Sequence, residues 1–208
     1  MNTWLTADWH LGEDRFELMG RPFTTQDEHI QTLIDNHNSV VSPDDEVLVV
    51  GDVCYQKTLE KLGHVWAFNG HKTLLRGNHD RGLTDEQLKP YFDTIVPEGE
   101  GILRTFGGID CYITHYPTES RTDLFNLVGH IHSAWKYQLN MLNVGVDVHH
   151  FRPVNADRIK FHFDAICKYY DEDVWVGYSN VNMRYVGVRG KKGTYLRTAR
   201  EEAMKSSA

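Results

Sequence analysis

The sequence predicts an α/β domain of layered sheets, and three observations carry that prediction. Short, unbroken apolar runs rich in Val, Ile and Leu recur along the chain, as in strands covered on both faces. Near the start, apolar residues recur at helical spacing between two such runs. Five of the runs also stop at a polar cluster of Asp, His or Asn. In a layered α/β fold, side chains set on loops at one sheet edge converge on one crevice, whereas on helix faces they would scatter.

The first run, Trp4-Leu5-Thr6-Ala7, gives out in Asp8-Trp9-His10. Asp8 and His10 are one residue apart, so an extended chain would turn both to the same side, where they could grip one ion. A capping-box pattern from Thr25 to Glu28 opens a helix, with Ile30, Leu33, Ile34 and His37 on one face and Pro43 as its limit. Residues 46–50, EVLVV, read as a buried strand ending in Gly51-Asp52, and 72–76, KTLLR, as another ending in Gly77-Asn78-His79-Asp80. GILRTF and IDCYIT flank Gly107-Gly108, a two-residue hairpin signal, and the second run ends at His115-Tyr116-Pro117. LFNLV, 124–128, ends at Gly129-His130-Ile131-His132, and LNVGV, 142–146, at Asp147. A helix-like stretch follows from Asn155 to Lys168.

With 208 residues, 40% of them hydrophobic, the chain suits one sizeable core. Its net charge of −7 argues against a nucleic-acid partner unless bound cations supply local positive charge. Cys54, Cys111 and Cys167 lack ligand-pair or redox-pair spacing, which fits reduced thiols in a cytoplasm. A strand-like run from Thr3 leaves no room for a signal segment, and no stretch approaches a membrane span, so a soluble cytoplasmic protein without a membrane partner is expected. No oligomeric state is implied.

Collected in order, the polar strand ends are Asp8, His10, Asp52, Asn78, His115, His130 and His132, with His79 and Asp80 alongside. Carboxylate, imidazole and amide donors without thiolate suit divalent Mn, Fe, Zn, Ni or Co and argue against a closed structural zinc site. Seven ligands exceed what one ion holding water needs, so two ions sharing a carboxylate is the economical reading. Such a pair clamps the attacking and leaving oxygens of a displacement at phosphorus, and phosphate ester hydrolysis is the natural chemistry.

The motifs DWH, GD, GNHD, THYP and GHIH, in this order between Thr3 and about Pro153, resemble those of the calcineurin-like metallophosphoesterases. Arg21-Pro22-Phe23 and residues 142–154, LNVGVDVHHFRPV, are similar to a compact bacterial and phage branch of predicted phosphoesterases. The resemblance implies a four-layer αββα sandwich with a dimetal site at the sheet edges. It implies that Asp8, His10 and His132 hold one metal, that Asn78, His115 and His130 hold the second, and that Asp52 bridges them. A hydroxide spanning both ions is then the nucleophile. His79 faces the substrate as leaving-group acid or oxyanion donor, and Asp80 orients its imidazole and favours the charged form.

The segment Val53-Cys54-Tyr55 replaces the Asp-Arg-Gly of protein Ser/Thr phosphatases and dinucleoside tetraphosphatases, which discounts both. The substrate expected is a phosphomonoester or phosphodiester, small or nucleotide-like. Two alternatives stand beside it: an SbcD-like nuclease acting on DNA or RNA, and a non-catalytic scaffold on the same fold. Arg21 either caps a surface turn or binds a substrate phosphate, and His149, after a strand end, is a second substrate-contact candidate. His37, His64 and His162 read as structural or surface residues, and Cys54 as a small buried filler. Residues 1–178 are expected to form the metallophosphoesterase domain. Residues 179–208, with net charge +5, are expected to form a basic extension with a hairpin around Gly190-Lys191-Lys192-Gly193.

Overall fold

The structure, a computed structural model, describes residues 1–169, so the basic extension and the expected domain boundary at 178 lie outside the described residues. Two five-stranded sheets form the frame. In the first, β1 (Thr3–Thr6), β2 (Glu46–Val49), β3 (His71–Leu75) and β4 (Thr94–Val96) run parallel, and β10 (Val154–Asn155) adds antiparallel to the free edge of β1. In the second the order is β5 (Ile102–Phe106), β6 (Ile109–Thr114), β7 (Phe125–Val128), β9 (Met141–Asn143), β8 (Tyr137–Gln138). Strands β6, β7 and β9 are parallel there, with antiparallel strands at both edges.

Strand periodicity divides the interior into two cores. Leu5, Leu48 and Leu75 turn to one face of the first sheet and meet Cys111, Ile113, Phe125, Leu127 and Leu142 of the second. Val47, Val49 and Leu74 turn to the opposite face and meet Ile30 and Leu33 of α2 (Gln26–Asn38), together with Leu62 and Val65 of a 3-10 stretch, Gln56–Ala67, that kinks at Thr58, and with Phe68 just after it. A first short helix, α1 (Phe16–Met19), precedes α2, and another, α3 (Asp85–Leu88), follows β3. Helix α4 (Ile159–Tyr169) inserts Ile159, Phe163 and Ile166 into the core shared by the sheets.

Several local readings hold. The Thr25 side chain accepts a hydrogen bond from the Glu28 N–H and caps α2, which buries Ile30, Leu33 and His37, but the reciprocal half of the expected capping box does not form: Glu28 Oε2 accepts from the Thr24 N–H at 3.0 Å. Gly107 and Gly108, at φ +57° and +83°, make the two-residue turn that pairs Phe106 with Ile109. The run 142–146 departs from expectation: β9 ends at Asn143, and Val146–Val148 form a 3-10 turn. Val146 N–H donates to the Ala7 carbonyl at 3.1 Å, so the two sheets are stitched together where β1 ends. All three cysteines are buried. Among the described residues, no helix is long and apolar enough to cross a membrane.

Candidate metal centre

The ends of β1, β2 and β3 in one sheet and of β6 and β7 in the other meet at one edge of the sandwiched core. Three overlapping groups of donors form there: Asp8, His10 and His132; His10, Asp52 and His79; Asp52, His115 and His130. Within each, the ligand atoms lie within 4.8 Å of one another. Asn78 joins through its side-chain oxygen, 3.3 Å from His115 Nε2. All seven sequence-predicted ligands, and His79, are therefore brought together.

The backbone achieves this differently from the extended chain expected for Asp8-Trp9-His10. Asp8, His10, Asp52, His130 and His132 all have positive φ, between +48° and +74°. For non-glycine residues this left-handed conformation costs on the order of 1–3 kcal/mol each when the surroundings hold it in place. Asp8 and His10 share one side because the chain coils tightly after β1, and five strained donor positions in one cluster are the kind of backbone that gathers at ligand clamps and active sites.

Asp52 sits at the centre. Its Oδ1 accepts the His79 N–H at 2.9 Å, while Oδ2 is buried without a hydrogen-bond partner. That oxygen lies 3.4 Å from His115 Nε2, 3.6 Å from His10 Nε2 and 3.9 Å from His79 Nε2. His10 Nδ1 and Nε2 and His130 Nδ1 are also buried and unpartnered. Leaving such groups unpaired costs about 1–3 kcal/mol each. Buried nitrogen and oxygen atoms that face one another without a hydrogen bond are what a cation would satisfy.

Electrostatics follow from burial. Desolvation raises the Asp8 carboxyl to about 6, against the pull of His115 and His132. Burial also works against Asp52, yet His115 and His10 hold its carboxyl well below the usual range. Burial of His115 opposes its charge, yet Asp52 and Asp8 lift its imidazole to about 9. His10 lies well below the normal imidazole value because it is desolvated.

Two ring tautomers are fixed from behind. His115 Nδ1 donates to the Val50 carbonyl at 2.7 Å, and His132 Nδ1 lies 3.0 Å from Asp147 Oδ2. Each leaves Nε2 to face the cluster. Glycines permit the close approach: a Cβ on Gly51 would lie 2.4 Å from His115 Nδ1, and one on Gly77 2.2 Å from Asp52 Oδ1.

Three expectations need correction. Asp80 does not orient the His79 imidazole: its buried carboxylate accepts the backbone N–H groups of Asp52, Val53 and Gly77 at 2.8–2.9 Å, tying the β2 and β3 loops together. His79 lies below its ordinary pKa through burial, partly offset by Asp52, so Asp80 does not hold it charged. Arg21 neither caps a surface turn nor faces a substrate. Its guanidinium is enclosed, making two bonds to Asp147 at 2.7 and 2.9 Å, others to the carbonyls of Asp8 and Trp9 at 2.6 and 3.2 Å, and lying 2.9 Å from His29 Nε2. His149 is likewise turned inward, with Nε2 donating to the Asn143 carbonyl at 2.8 Å, and burial lowers its pKa to about 4.

Sequence reasoning places Asp147 at the end of the run 142–146 but leaves it out of the site, although it follows that run much as Asp52 follows 46–50. It also missed Glu13, Tyr55 and Tyr116 beside the cluster, which sit in no pattern that a single sequence displays.

No protein-family model matches the chain. The Gene 66 protein of Mycobacterium phage L5 is 37% identical over 82 residues, covering 38% of this chain and 40% of that protein. The match thus spans less than half the length of that curated relative. The crystal structure of a protein of unknown function from Aquifex aeolicus superimposes with a TM-score of 0.62 at 21% identity, over 77% of this chain and 98% of the other. At that identity the likeness shows a shared fold.

Proposed function

We propose that the protein is a phosphohydrolase using two divalent cations, on an αββα sandwich of the calcineurin-like metallophosphoesterase kind, in a cytoplasmic setting. The observation that carries this reading is the Asp52 carboxylate, with one oxygen anchored by a backbone N–H and the other buried, unpartnered and facing three imidazoles. Asp8, His10 and His132 would hold one ion, Asn78, His115 and His130 the other, and Asp52 both. Oxygen and nitrogen donors without sulfur suit Mn, Fe, Zn, Ni or Co. When bound, the ions supply positive charge at the phosphoryl oxygens and acidify coordinated water.

The chain supplies the rest. Val50 and Asp147 set the tautomers of His115 and His132 before any ligand arrives. His79, with 30% of its side chain exposed beside Asp52, is the half-open imidazole that can hydrogen-bond a leaving oxygen through a ring N–H, giving up that proton when it acts in its protonated form. The substrate is a phosphoester, small or nucleotide-like; the acidic body does not favour a nucleic-acid polymer.

Mn-loaded protein assayed on a phosphomonoester, a cyclic nucleotide, a phosphodiester and single-stranded DNA should turn over at least one of them. His79→Ala should then lose about 10²- to 10⁴-fold in kcat with metal content unchanged. No turnover on any substrate by fully loaded protein would overturn the reading.

A further inference from the structure

The cluster is flanked by two walls of the same construction, built from unrelated parts of the chain. On one side the Tyr55 ring lies 4.3 Å, centroid to centroid, from His79 and 5.5 Å from His10. Its hydroxyl donates to Glu13 Oε2 at 2.6 Å. Arg15 grips the same carboxylate through Nε and Nη2 at 2.9 and 2.8 Å, and Nη2 also meets the Tyr55 oxygen at 3.0 Å. On the other side the Tyr116 ring lies 4.9 Å from both His115 and His130. Its hydroxyl donates to Glu98, which Arg81 grips through Nε and Nη2 at 2.8 and 2.5 Å. Both walls read imidazole, tyrosine, glutamate, arginine.

The walls stand against different imidazoles of the cluster. Tyr55 borders His79 and His10, Tyr116 borders His115 and His130, and Asp52 Oδ2 lies 3.9, 3.6 and 3.4 Å from His79, His10 and His115 between them. We propose that the crevice is shaped for a phosphodiester carrying two uncharged organic arms, one lying along Tyr55 and the other along Tyr116. This rests on the phosphohydrolase reading and narrows its substrate class.

A phosphomonoester has one organic substituent and would use one wall. Two walls flanking the shared carboxylate match a phosphorus atom substituted on both sides. Their charge points the same way. Each arginine is paired bidentately with a glutamate, so neither wall carries the surplus positive charge that a second phosphate or a polyphosphate would need. Each instead offers a half-buried aromatic ring beside an exposed planar guanidinium, with 56% of the Arg15 side chain and 69% of the Arg81 side chain accessible. Such surfaces suit flat, uncharged groups such as bases or aryl rings. Burial, reinforced by the glutamates, raises both phenols above their ordinary value, and the hydrogen bonds to Glu13 and Glu98 hold each ring in one orientation, so the walls are set before an arm arrives.

The test compares two non-hydrolysable probes on the Mn-loaded protein by calorimetry: a dithymidine methylene-bridged phosphonate, with two arms, and benzylphosphonate, with one. The two-armed probe should bind at least tenfold tighter. Tyr55→Leu and Tyr116→Leu should each reduce that preference about tenfold with metal content unchanged, while Tyr55→Phe and Tyr116→Phe, which keep the ring, should retain it. Equal affinity for the two probes overturns the proposal, as does a preference that survives both leucine variants or is lost equally in the phenylalanine variants. Hydrolysis of p-nitrophenyl phosphate and of thymidine 5′-monophosphate p-nitrophenyl ester is measured in parallel. Absence of hydrolysis with the binding preference intact would sink the phosphohydrolase reading and leave the two-armed crevice standing.

Discussion

Asp147 Oδ2 lies 3.0 Å from His132 Nδ1 while the same carboxylate is held by Arg21, so one buried acid connects a candidate ligand to an enclosed cation. A carboxylate behind a ligand histidine fixes its tautomer and raises its basicity, and losing it typically weakens metal binding about 10- to 100-fold. Asp147→Asn should therefore lower Mn affinity in that range for the ion held by Asp8, His10 and His132, leaving the other ion's affinity within a factor of a few. Calorimetric titration resolving two sites checks this, and unchanged affinity at both would remove Asp147 from the site.

Arg21 should matter to stability even without metal. Its side chain is 0% exposed against 3% for Asp147, and taking one partner from a buried pair costs about 3–5 kcal/mol because the other charge stays behind. Arg21→Met should lose about that much in urea unfolding of the metal-free protein. The double variant Arg21→Met, Asp147→Leu should recover a large part of the loss. A single-variant cost below about 1 kcal/mol, the range of exposed pairs, would contradict the enclosed geometry.

Asp52→Asn should deplete both ions together, since among the described residues it is the only carboxylate within reach of both outer donor groups. Elemental analysis showing two ions per chain in the variant would defeat the sharing assignment. Occupancy of a single ion would place Asp52 on one metal alone.

His37 sets a pH dependence away from the donor groups. Its Nε2 donates to the Asn69 carbonyl at 2.9 Å, its Nδ1 is buried without a partner, and burial lowers its pKa from 6.5 to about 4. The unfolded chain takes up this proton below pH 6.5, the folded chain only near 4. Stability from the neutral ring is thus complete above pH 6.5 and is lost as pH falls toward 4, by about 2 kcal/mol between pH 7 and 5. His37→Gln should flatten the decline by that amount in urea titrations of metal-free protein, and an unaltered slope would rule the ring out as its source.

The parallel strands and their ends were legible because a buried strand must be continuously apolar and the groups that end it must not be. Residues 46–50 followed by Asp52, and 124–128 followed by His130 and His132, announce themselves that way. What lay hidden was whatever depends on distance across the fold. Arg21 and Asp147 are 126 positions apart, and nothing local in either shows that they meet. Asp80 looked like a partner for His79 because it is the next residue; in three dimensions its carboxylate turns back toward the Asp52 and Gly77 amides. Left-handed backbone at Asp8 or His130 has no residue signature either, since glycine, the usual marker of that conformation, is absent there.

The junction of the two sheets at the cluster has a kinetic consequence. Asp8 accepts the His130 N–H across 122 positions of sequence, and His115 reaches Val50 across 65. Contacts this distant along the chain require loop closure before they return any energy, and parallel pairing adds to the delay. The donor set is thus among the last parts of the molecule to assemble and, on unfolding, among the first to come apart. A cation that recognises the finished arrangement arrives after the rate-limiting search. It should leave the refolding rate nearly unchanged and act on the reverse step, slowing unfolding in proportion to how tightly it binds.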